Sequence, residues 1–338
     1  ALSSPSVDKI YGSVNGIQGV LNENLIDLKI KITNVSELDL LCQTPASALG
    51  SCRVKLKDPA VCADEYETII SVLRKYSIDC FIYIGGNDSM DTVSKLSRYA
   101  AQTGSDIRIL GEPKTIDNDI YGTDVTFGFQ SAINIATDAI DCIHTTAASH
   151  NRVFIVEVMG HKVGWLTLYA GVAGGADIIL LPEIPYDIDK VVDAIHKRTK
   201  EGKGFTILAV AEGAISKEDA ALSKKEYKKT LAKSKYPSVS YEVADRISER
   251  LGLEVRVAVP GHTQRGGSPC PYDRVLCTRL GSAAAKAIMD EDYGCMIAMV
   301  NGQTKRVPLA DVAGKLKTVD PKSQMIKEAK RTGICFGD

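Results

Sequence analysis

Short apolar runs alternate with amphipathic segments along most of the chain. Runs rich in β-branched residues predict strands over 79–86, 106–115, 151–160, 176–183, 204–213 and 253–262. Between these runs, the spacing of apolar positions predicts helices, most clearly over 89–100 and 272–288. Because strands that alternate with helices usually form parallel sheets covered by helices, the pattern predicts an α/β fold.

Composition and charge exclude several classes of protein. The chain has 338 residues, of which 44% are apolar and 25% are charged. Such a composition is typical of a globular protein, and the length predicts two domains of about 150 residues each. Forty-one basic residues against 42 acidic ones leave a net charge of −1, so no bulk field favours nucleic acid or an anionic membrane. Any anion site must therefore be local.

The cysteines and the apolar runs indicate a cytoplasmic protein. The nine cysteines include no CxxC spacing, which is typical of reduced thiols and not of a disulfide framework or a zinc site. No apolar run approaches the roughly 18–20 residues of a membrane span. The first residues also lack the basic and apolar regions of a signal peptide. We therefore expect a soluble, cytoplasmic protein.

Several predicted strands end in glycine and polar residues. The stretches are GGNDS (85–89), TIDND (115–119), MGHK (159–162), EG (212–213) and GHTQRGG (261–267). In open α/β sheets, ligands bind outside the carboxyl ends of the strands, where helix N-termini present backbone N–H groups to anions. Each stretch alone has an ordinary explanation, such as a tight turn or a helix cap. Together they predict one composite site for phosphate groups.

These stretches resemble the phosphofructokinase family. IGGNDSM, PKTIDND, VEVMGHKVGW, AEGA and GHTQRGGSPCPYDR follow that family's order and approximate spacing, and YGSVNGIQGVLNENL (11–25) and ALGSCR (48–53) resemble its N-terminal half. The resemblance implies two Rossmann-like α/β/α sandwich domains with the active site in the cleft between them. It implies a phosphoryl-donor-binding domain of residues 1–128 plus 264–318, and a sugar-phosphate-binding domain of residues 129–263 plus 319–338.

The resemblance also implies roles for single residues. Asp117 matches the carboxylate that removes the proton from the 1-hydroxyl of fructose 6-phosphate, with Thr115 and Asp119 beside it; a hydroxyl that attacks phosphorus needs such a positioned base. The positions that hold the sugar and its 6-phosphate match Arg152, Met159, Gly160, His161, Glu212, Arg256, His262 and Arg265. In the family, the equivalents of Arg152 and Arg256 reach across from a neighbouring subunit. The resemblance therefore implies a homodimer or homotetramer with shared active sites.

The residues at the donor-binding positions differ between family members that use different phosphoryl donors. The donor-binding positions match Arg53, Gly86, Asn87, Asp88, Ser89 and Lys114. ATP-using members carry glycine at the positions of Asp88 and Lys114, whereas members that use inorganic pyrophosphate resemble this chain. A carboxylate at Asp88 repels an α-phosphate, and Lys114 places a cation where charge develops on the leaving group. We expect reversible transfer from pyrophosphate to fructose 6-phosphate, giving fructose 1,6-bisphosphate and phosphate, with Mg²⁺ held by Asn87 and Asp119.

Three features depart from the family pattern. Asn87 replaces an aspartate that coordinates magnesium in many members, and His161 stands where many members have arginine. The family's first strand and Gly-rich phosphate loop have no match before IYGSVNG, so we expect part of the donor site to be missing from the sequence as given.

Other functions stay open at this point. ATP-dependent phosphofructokinase is the nearest alternative, and the departures give weight to a non-catalytic, sugar-phosphate-binding regulatory subunit. A Rossmann oxidoreductase is disfavoured because no GxGxxG follows a strand. The sequence does not separate fructose 6-phosphate from sedoheptulose 7-phosphate as the acceptor.

Overall fold

The computed structural model describes residues 7–43, 46–150 and 152–338. Contacts divide the chain into two compact units. Unit 1 contains the residues up to Thr115, together with Ile120–Gly128 and Gly266–Leu316. Unit 2 contains Ile116–Asp119, Phe129–Arg265 and Lys317–Asp338. Each unit is an α/β structure with its own parallel strands, so the predicted fold class is confirmed. The predicted assignment of one ligand to each domain stays a prediction.

The strands form a mixed sheet in unit 1 and a parallel sheet in unit 2. In chain order they are β1 (Tyr11–Ser13), β2 (Leu25–Asp27), β3 (Cys80–Gly85), β4 (Arg108–Thr115), β5 (Phe127–Gly128), β6 (Val153–Val158), β7 (Ile178–Leu180), β8 (Thr206–Ala211), β9 (Val255–Ala258), β10 (Cys295–Val300) and β11 (Gln303–Pro308). The unit 1 sheet has the order β11-β10-β4-β3, with β5 paired to β4, and β1 pairs with β2 separately. The unit 2 sheet has the order β7-β8-β6-β9, and all of its pairs are parallel.

Helices connect the strands. They are α1 (Ile17–Leu21), α2 (Leu28–Lys31), α3 (Val35–Gln43), α4 (Ala63–Lys75), α5 (Asn87–Gln102), α6 (Phe129–His150), α7 (Trp165–Ala173), α8 (Ile188–Lys200), α9 (Lys217–Ala220), α10 (Lys224–Lys233), α11 (Val239–Leu251), α12 (Pro271–Met289), α13 (Leu309–Val312) and α14 (Gln324–Arg331), with a 3₁₀ helix at Gly261–Arg265. None of the helices in the described ranges is long and apolar enough to span a bilayer.

Every predicted strand is present, with ends a few residues shorter than predicted, and both predicted helices are confirmed. Asn151, which begins one predicted strand, lies outside the described residues. The hairpin β10–β11 was missed. Its signal was the Asn301-Gly302 pair between the two strands, where both residues have positive φ, of 51° and 72°. Asn-Gly is typical of a two-residue hairpin turn because it tolerates this backbone conformation.

Each unit has its own apolar core. In unit 1, α5 packs on β3 and β4, and buried residues of α5 and α4, such as Leu96, Ile69 and Leu73, belong to one apolar core. In unit 2, every residue of β6 and β8 is buried, as expected of parallel strands covered by helices on both faces. Because these buried strands are held firmly, the loops that follow them start from fixed positions. Several predicted site residues, such as Met159, Gly160 and Glu212, lie in those loops.

Candidate active site

Three neighbouring strands of unit 2 end in predicted sugar-phosphate residues. β8 ends just before Glu212, β6 ends just before Met159, and β9 is followed by the 3₁₀ helix that contains His262 and Arg265. Because β8, β6 and β9 are adjacent and parallel, their carboxyl ends lie at one edge of the sheet. The structure thus brings these predicted residues together at the edge where open α/β sheets bind ligands.

Glu212 fixes the turn that follows β6. Its Oε1 accepts hydrogen bonds from the backbone N–H groups of Gly160, at 3.1 Å, and His161, at 2.7 Å. Gly160 has a φ of 145°, and a Cβ there would lie 2.5 Å from the carbonyl oxygen of Val163. Only glycine fits this position. The carboxylate of Glu212 therefore holds the Met159–His161 turn in one conformation.

Gln264 is a site residue that the sequence analysis missed. Its Oε1 accepts a hydrogen bond from the backbone N–H of Met159, at 3.1 Å, and its Nε2 donates to the carbonyl of Gly261, at 3.2 Å. The residue is only 2% exposed, whereas its neighbours His262 and Arg265 are exposed. Gln264 thus connects the 3₁₀ helix to the turn after β6. The basic side chains of His262 and Arg265, in the same 3₁₀ helix, lie on the surface.

Asp117 lies in an environment that changes its acidity. Burial raises the pKa of Asp117, and the carboxylates of Asp119 and Glu212 raise this pKa further, while Arg265 and His161 oppose the rise. All of these residues belong to unit 2. A half-buried carboxyl group with a raised pKa, surrounded by both signs of charge, is a candidate general base.

Five of the six predicted donor residues lie at the carboxyl ends of β3 and β4 in unit 1, namely Gly86, Asn87, Asp88, Ser89 and Lys114. Gly85 is paired with Pro113 across the two strands, and a Cβ on Gly86 would lie 3.7 Å from the carbonyl oxygen of Lys114. Helix α5 begins at Asn87, so Asp88 and Ser89 lie in its first turn. A helix N-terminus is a favourable place for a phosphate group because of its backbone N–H groups and dipole.

Asp88 pairs with a lysine that the sequence analysis did not single out. Lys55 Nζ lies 2.7 Å from Asp88 Oδ1, and the two side chains are 62% and 68% exposed. The hydrogen bond and charge of Asp88 raise the pKa of Lys55. Cys52 and Val54 pack towards the core of unit 1, whereas Arg53 and Lys55 are exposed. An exposed ion pair contributes about 0–1 kcal/mol, so a phosphate group can compete for Lys55.

Arg152 and Arg256 lie at the opposite end of the unit 2 sheet. Arg152 precedes β6, and Arg256 is in β9 opposite Phe154. Arg152 Nε is 2.9 Å from Glu254 Oε2, and Arg256 pairs with the same carboxylate. The length of β6 separates Arg152 from Met159 by roughly 20 Å, at about 3.3 Å per residue. Within one chain, the structure does not bring these two arginines to the other predicted sugar-phosphate residues.

The residues present fit a magnesium ion that binds together with a phosphate-bearing substrate. Across the described part of the chain, no group of three or more His, Cys, Asp and Glu side chains could hold a metal ion. Mg²⁺ typically keeps several waters and is bound by one or two carboxylates together with substrate phosphates, without an all-protein cage. Of the two predicted ligands, Asp119 in unit 2 has a carboxylate and Asn87 in unit 1 has an amide oxygen. Each is a hard oxygen ligand of the kind that Mg²⁺ prefers.

The fold and the strand-end residues define an α/β protein with polar side chains at the carboxyl ends of parallel strands, which is where open α/β sheets bind ligands. Comparison with known proteins identifies the family. The sequence profile described as "Phosphofructokinase" matches residues 3–288. The chain therefore belongs to the phosphofructokinase family.

The names of relatives in the family specify different phosphoryl donors. A Spirochaeta thermophila protein named ATP-dependent 6-phosphofructokinase is 46% identical over 336 residues, which cover 97% of this chain and 89% of that protein. An Amycolatopsis methanolica protein named pyrophosphate–fructose 6-phosphate 1-phosphotransferase is 45% identical over 255 residues, which cover 75% and 73% of the two chains. A solved structure of a pyrophosphate-dependent phosphofructokinase from Nitrosospira multiformis matches with a TM-score of 0.81 and 27% identity, covering 96% and 80%.

Proposed function

We propose that this protein transfers a phosphoryl group from inorganic pyrophosphate to the 1-hydroxyl of fructose 6-phosphate. The products are fructose 1,6-bisphosphate and inorganic phosphate, and the reaction is reversible. Family membership supports the reaction class, and the environment of Asp117 supports base catalysis. The observation that carries the choice of donor is the carboxylate of Asp88 in the first turn of α5. The proposed location is the cytoplasm.

In the proposed mechanism, Asp117 accepts the proton of the sugar 1-hydroxyl. The oxygen attacks the terminal phosphorus of pyrophosphate, a new P–O bond forms, and the bond to the bridging oxygen breaks, so that phosphate leaves. Burial and the neighbouring carboxylates make Asp117 a stronger base than an ordinary aspartate. Thr115, the last residue of β4 and two positions before Asp117 in the chain, would help to orient the reacting groups.

The two phosphate-bearing ligands would be held by separate groups of residues. His262 and Arg265 would bind the 6-phosphate, while Met159, Gly160, His161 and Glu212 would surround the sugar. Arg53, Lys114 and the start of α5 (its N-cap Gly86, with Asn87, Asp88 and Ser89 of the first turn) would bind the donor. Mg²⁺, held by Asp119 and Asn87, would neutralise the donor's phosphate charge.

Asp88 is the residue that disfavours ATP in this proposal. The N-terminus of α5 would attract phosphate, but a carboxylate in its first turn competes for that place and repels an additional phosphate group. Pyrophosphate has no α-phosphate to be repelled. Lys114, exposed at the end of β4, would stabilise the charge of the departing phosphate.

ATP is the second candidate donor. The Spirochaeta thermophila relative, which matches nearly the whole chain, is named as ATP-dependent. The pairing of Asp88 with Lys55 also reduces the negative charge that an α-phosphate would meet. For these reasons ATP must be tested beside pyrophosphate.

Initial rates of fructose 1,6-bisphosphate formation test the donor directly. Pyrophosphate and ATP are compared at equal free Mg²⁺ in the wild type and in the Asp88→Gly/Lys114→Gly double variant. We expect the wild type to use pyrophosphate, and the double variant to shift its kcat/KM towards ATP. A wild type that prefers ATP contradicts the proposed donor. Binding of fructose 6-phosphate without turnover with either donor would instead indicate a non-catalytic subunit.

The acceptor and the oligomer complete the proposal. The same assay with sedoheptulose 7-phosphate measures the acceptor preference, which we expect to favour fructose 6-phosphate.

We also propose a homo-oligomer in which Arg152 and Arg256 complete the sugar-phosphate site of a neighbouring copy. The position of these arginines at the far end of the β6–β9 pair supports this arrangement.

A further inference from the structure

Lys317 contacts the turn that contains Asp117. Its ammonium group donates a hydrogen bond to Asn118 Oδ1, at 2.8 Å, and its backbone N–H donates to the carbonyl of Asp119, at 2.9 Å. Lys317 is separated from Asn118 by 199 positions in the sequence, yet both residues belong to unit 2. One lysine therefore contacts both residues that follow the proposed base.

The turn itself has an unusual backbone. Asn118 has a φ of 53°, in the left-handed region, and the residue is 4% exposed. Asparagine adopts this conformation more readily than most residues, but at a cost compared with an ordinary turn. A buried residue with this backbone needs its side-chain amide to be hydrogen-bonded. The bond from Lys317 to Asn118 meets part of that need.

Lys317 is in turn held by the start of α7. Trp165 Nε1 donates a hydrogen bond to the carbonyl of Lys317, at 2.9 Å, and the Lys317 ammonium lies 5.6 Å from the centre of the Trp165 ring. Two residues further on, the backbone N–H of Val319 donates to Glu183 Oε1, at 2.9 Å, and the same carboxylate accepts from Gly164 N. The segment that carries Lys317 is thus anchored at the lysine itself and two residues after it.

We propose that Lys317 is a positioning residue that, together with Trp165, sets the orientation of the Asp117–Asp119 turn for phosphoryl transfer. This inference rests on the proposed role of Asp117 as the base. The lysine touches neither substrate in this account; it acts by holding Asn118 and Asp119, the residues next to the base. Catalysis is sensitive to such positioning, because a displacement of about 1 Å can cost roughly 100-fold in rate.

The test compares Lys317→Met with Lys317→Arg and with Lys315→Met. Methionine keeps most of the aliphatic stem but cannot donate the hydrogen bond to Asn118, whereas arginine can. Lys315→Met is the matched control, because the Lys315 ammonium lies over the ring of Tyr121, 5.1 Å from its centre, and not on the turn. The variants are assayed for kcat, for KM of both substrates, for Tm and for tryptophan emission.

We expect Lys317→Met to lower kcat by roughly 10- to 100-fold, with much smaller changes in both KM values, and Lys317→Arg to recover a large part of the loss. Lys315→Met should behave like the wild type. Since Trp165 is the single tryptophan of the chain, its emission should change in Lys317→Met and not in the control. This change verifies that the contact has been removed.

Three results would overturn the inference. They are an unchanged kcat in a Lys317→Met protein whose emission has changed, a lower Tm with unchanged kcat per folded molecule, and an equal loss of kcat in the control. A wild type that is inactive with both donors would instead refute the proposed function, so the two failures can be told apart.

Discussion

Asp117 is a carboxylate whose neighbours shift its pKa in opposite directions. Burial, Asp119 and Glu212 raise the pKa, while Arg265 and His161 lower it. An aspartate in water is ionised at neutral pH but is a weak base. A raised pKa increases the basicity of the group while it can still be ionised at the pH of the reaction. At the scale of single residues, these neighbours determine the chemistry that Asp117 can perform.

The charges around Asp117 should therefore control the acidic limb of the pH profile. The base works when it is deprotonated, so kcat/KM should rise with pH through its pKa. Arg265→Met removes a charge that lowers this pKa, and the limb should move to higher pH. Glu212→Gln removes a charge that raises the pKa, and the limb should move to lower pH. Profiles of kcat/KM for the two variants measure both shifts, and shifts in the same direction would contradict this account.

Replacing Asp117 by asparagine should separate activity from stability. We expect Asp117→Asn to lose roughly 10²- to 10⁴-fold in kcat, the usual contribution of a general base. Because the pKa of Asp117 is raised in the folded state, the folded protein loses stability as pH rises from the unfolded pKa through the folded one. Asparagine has no such titration.

Calorimetry at two pH values tests the stability half of this prediction. The Tm of Asp117→Asn should exceed that of the wild type at neutral pH, and the difference should shrink at about pH 4, where an ordinary aspartate begins to protonate. A variant that is less stable than the wild type at neutral pH would show that Asp117 has a structural role.

At the scale of strands and helices, sequence patterns predicted the features that depend on residues close to one another in the sequence. The β-branched runs located β4, β6 and β8 because most or all of the residues of each of these strands are buried. Contacts between distant parts of the chain left no local signal. Lys55 meets Asp88 across 33 positions, and Gln264 meets Met159 across 105. Because only folding brings these side chains together, the contacts could be identified only from the structure.

Glu112 in β4 is a buried acidic residue, and its burial disfavours the ionised form of its side chain. The residue is 5% exposed, and within the described part of the chain its Oε1 has no hydrogen-bond partner. Burial raises the pKa of Glu112 to about 8. The folded state therefore binds this proton more tightly than the unfolded state, and the free energy of unfolding should fall as pH rises from about 4 to 8.

Glu112→Gln should remove this pH dependence. The variant should gain stability over the wild type as pH rises from about 4 to 8, and the gain should then level off. Chemical denaturation at several pH values measures it. Glu291→Gln is a suitable control because its carboxylate is 72% exposed, and it should show no comparable gain. A Glu112→Gln protein with a constant difference from the wild type at all pH values would contradict the prediction.

At the scale of the whole molecule, the two arginines at the far end of the unit 2 sheet raise the question of which copy they serve. Arg152 and Arg256 share the carboxylate of Glu254, roughly 20 Å along β6 from Met159 by strand rise. If a sugar-phosphate site requires Arg256, that residue must come from another copy of the chain. Arg265 differs, because it interacts electrostatically with Asp117 of the same chain.

Co-expression of inactive variants distinguishes these two cases. Arg256→Met and Asp117→Asn should each have very low activity alone. In a mixed oligomer, the Arg256→Met chain supplies an intact Asp117, and the Asp117→Asn chain supplies an intact Arg256, so some sites should be complete and activity should return. Arg265→Met with Asp117→Asn is the matched control. Both defects lie within a chain's own site, so no site in that mixture is complete. Recovery in the control, or none in the first mixture despite a mixed oligomer in sedimentation, would mean that Arg256 serves no neighbouring site.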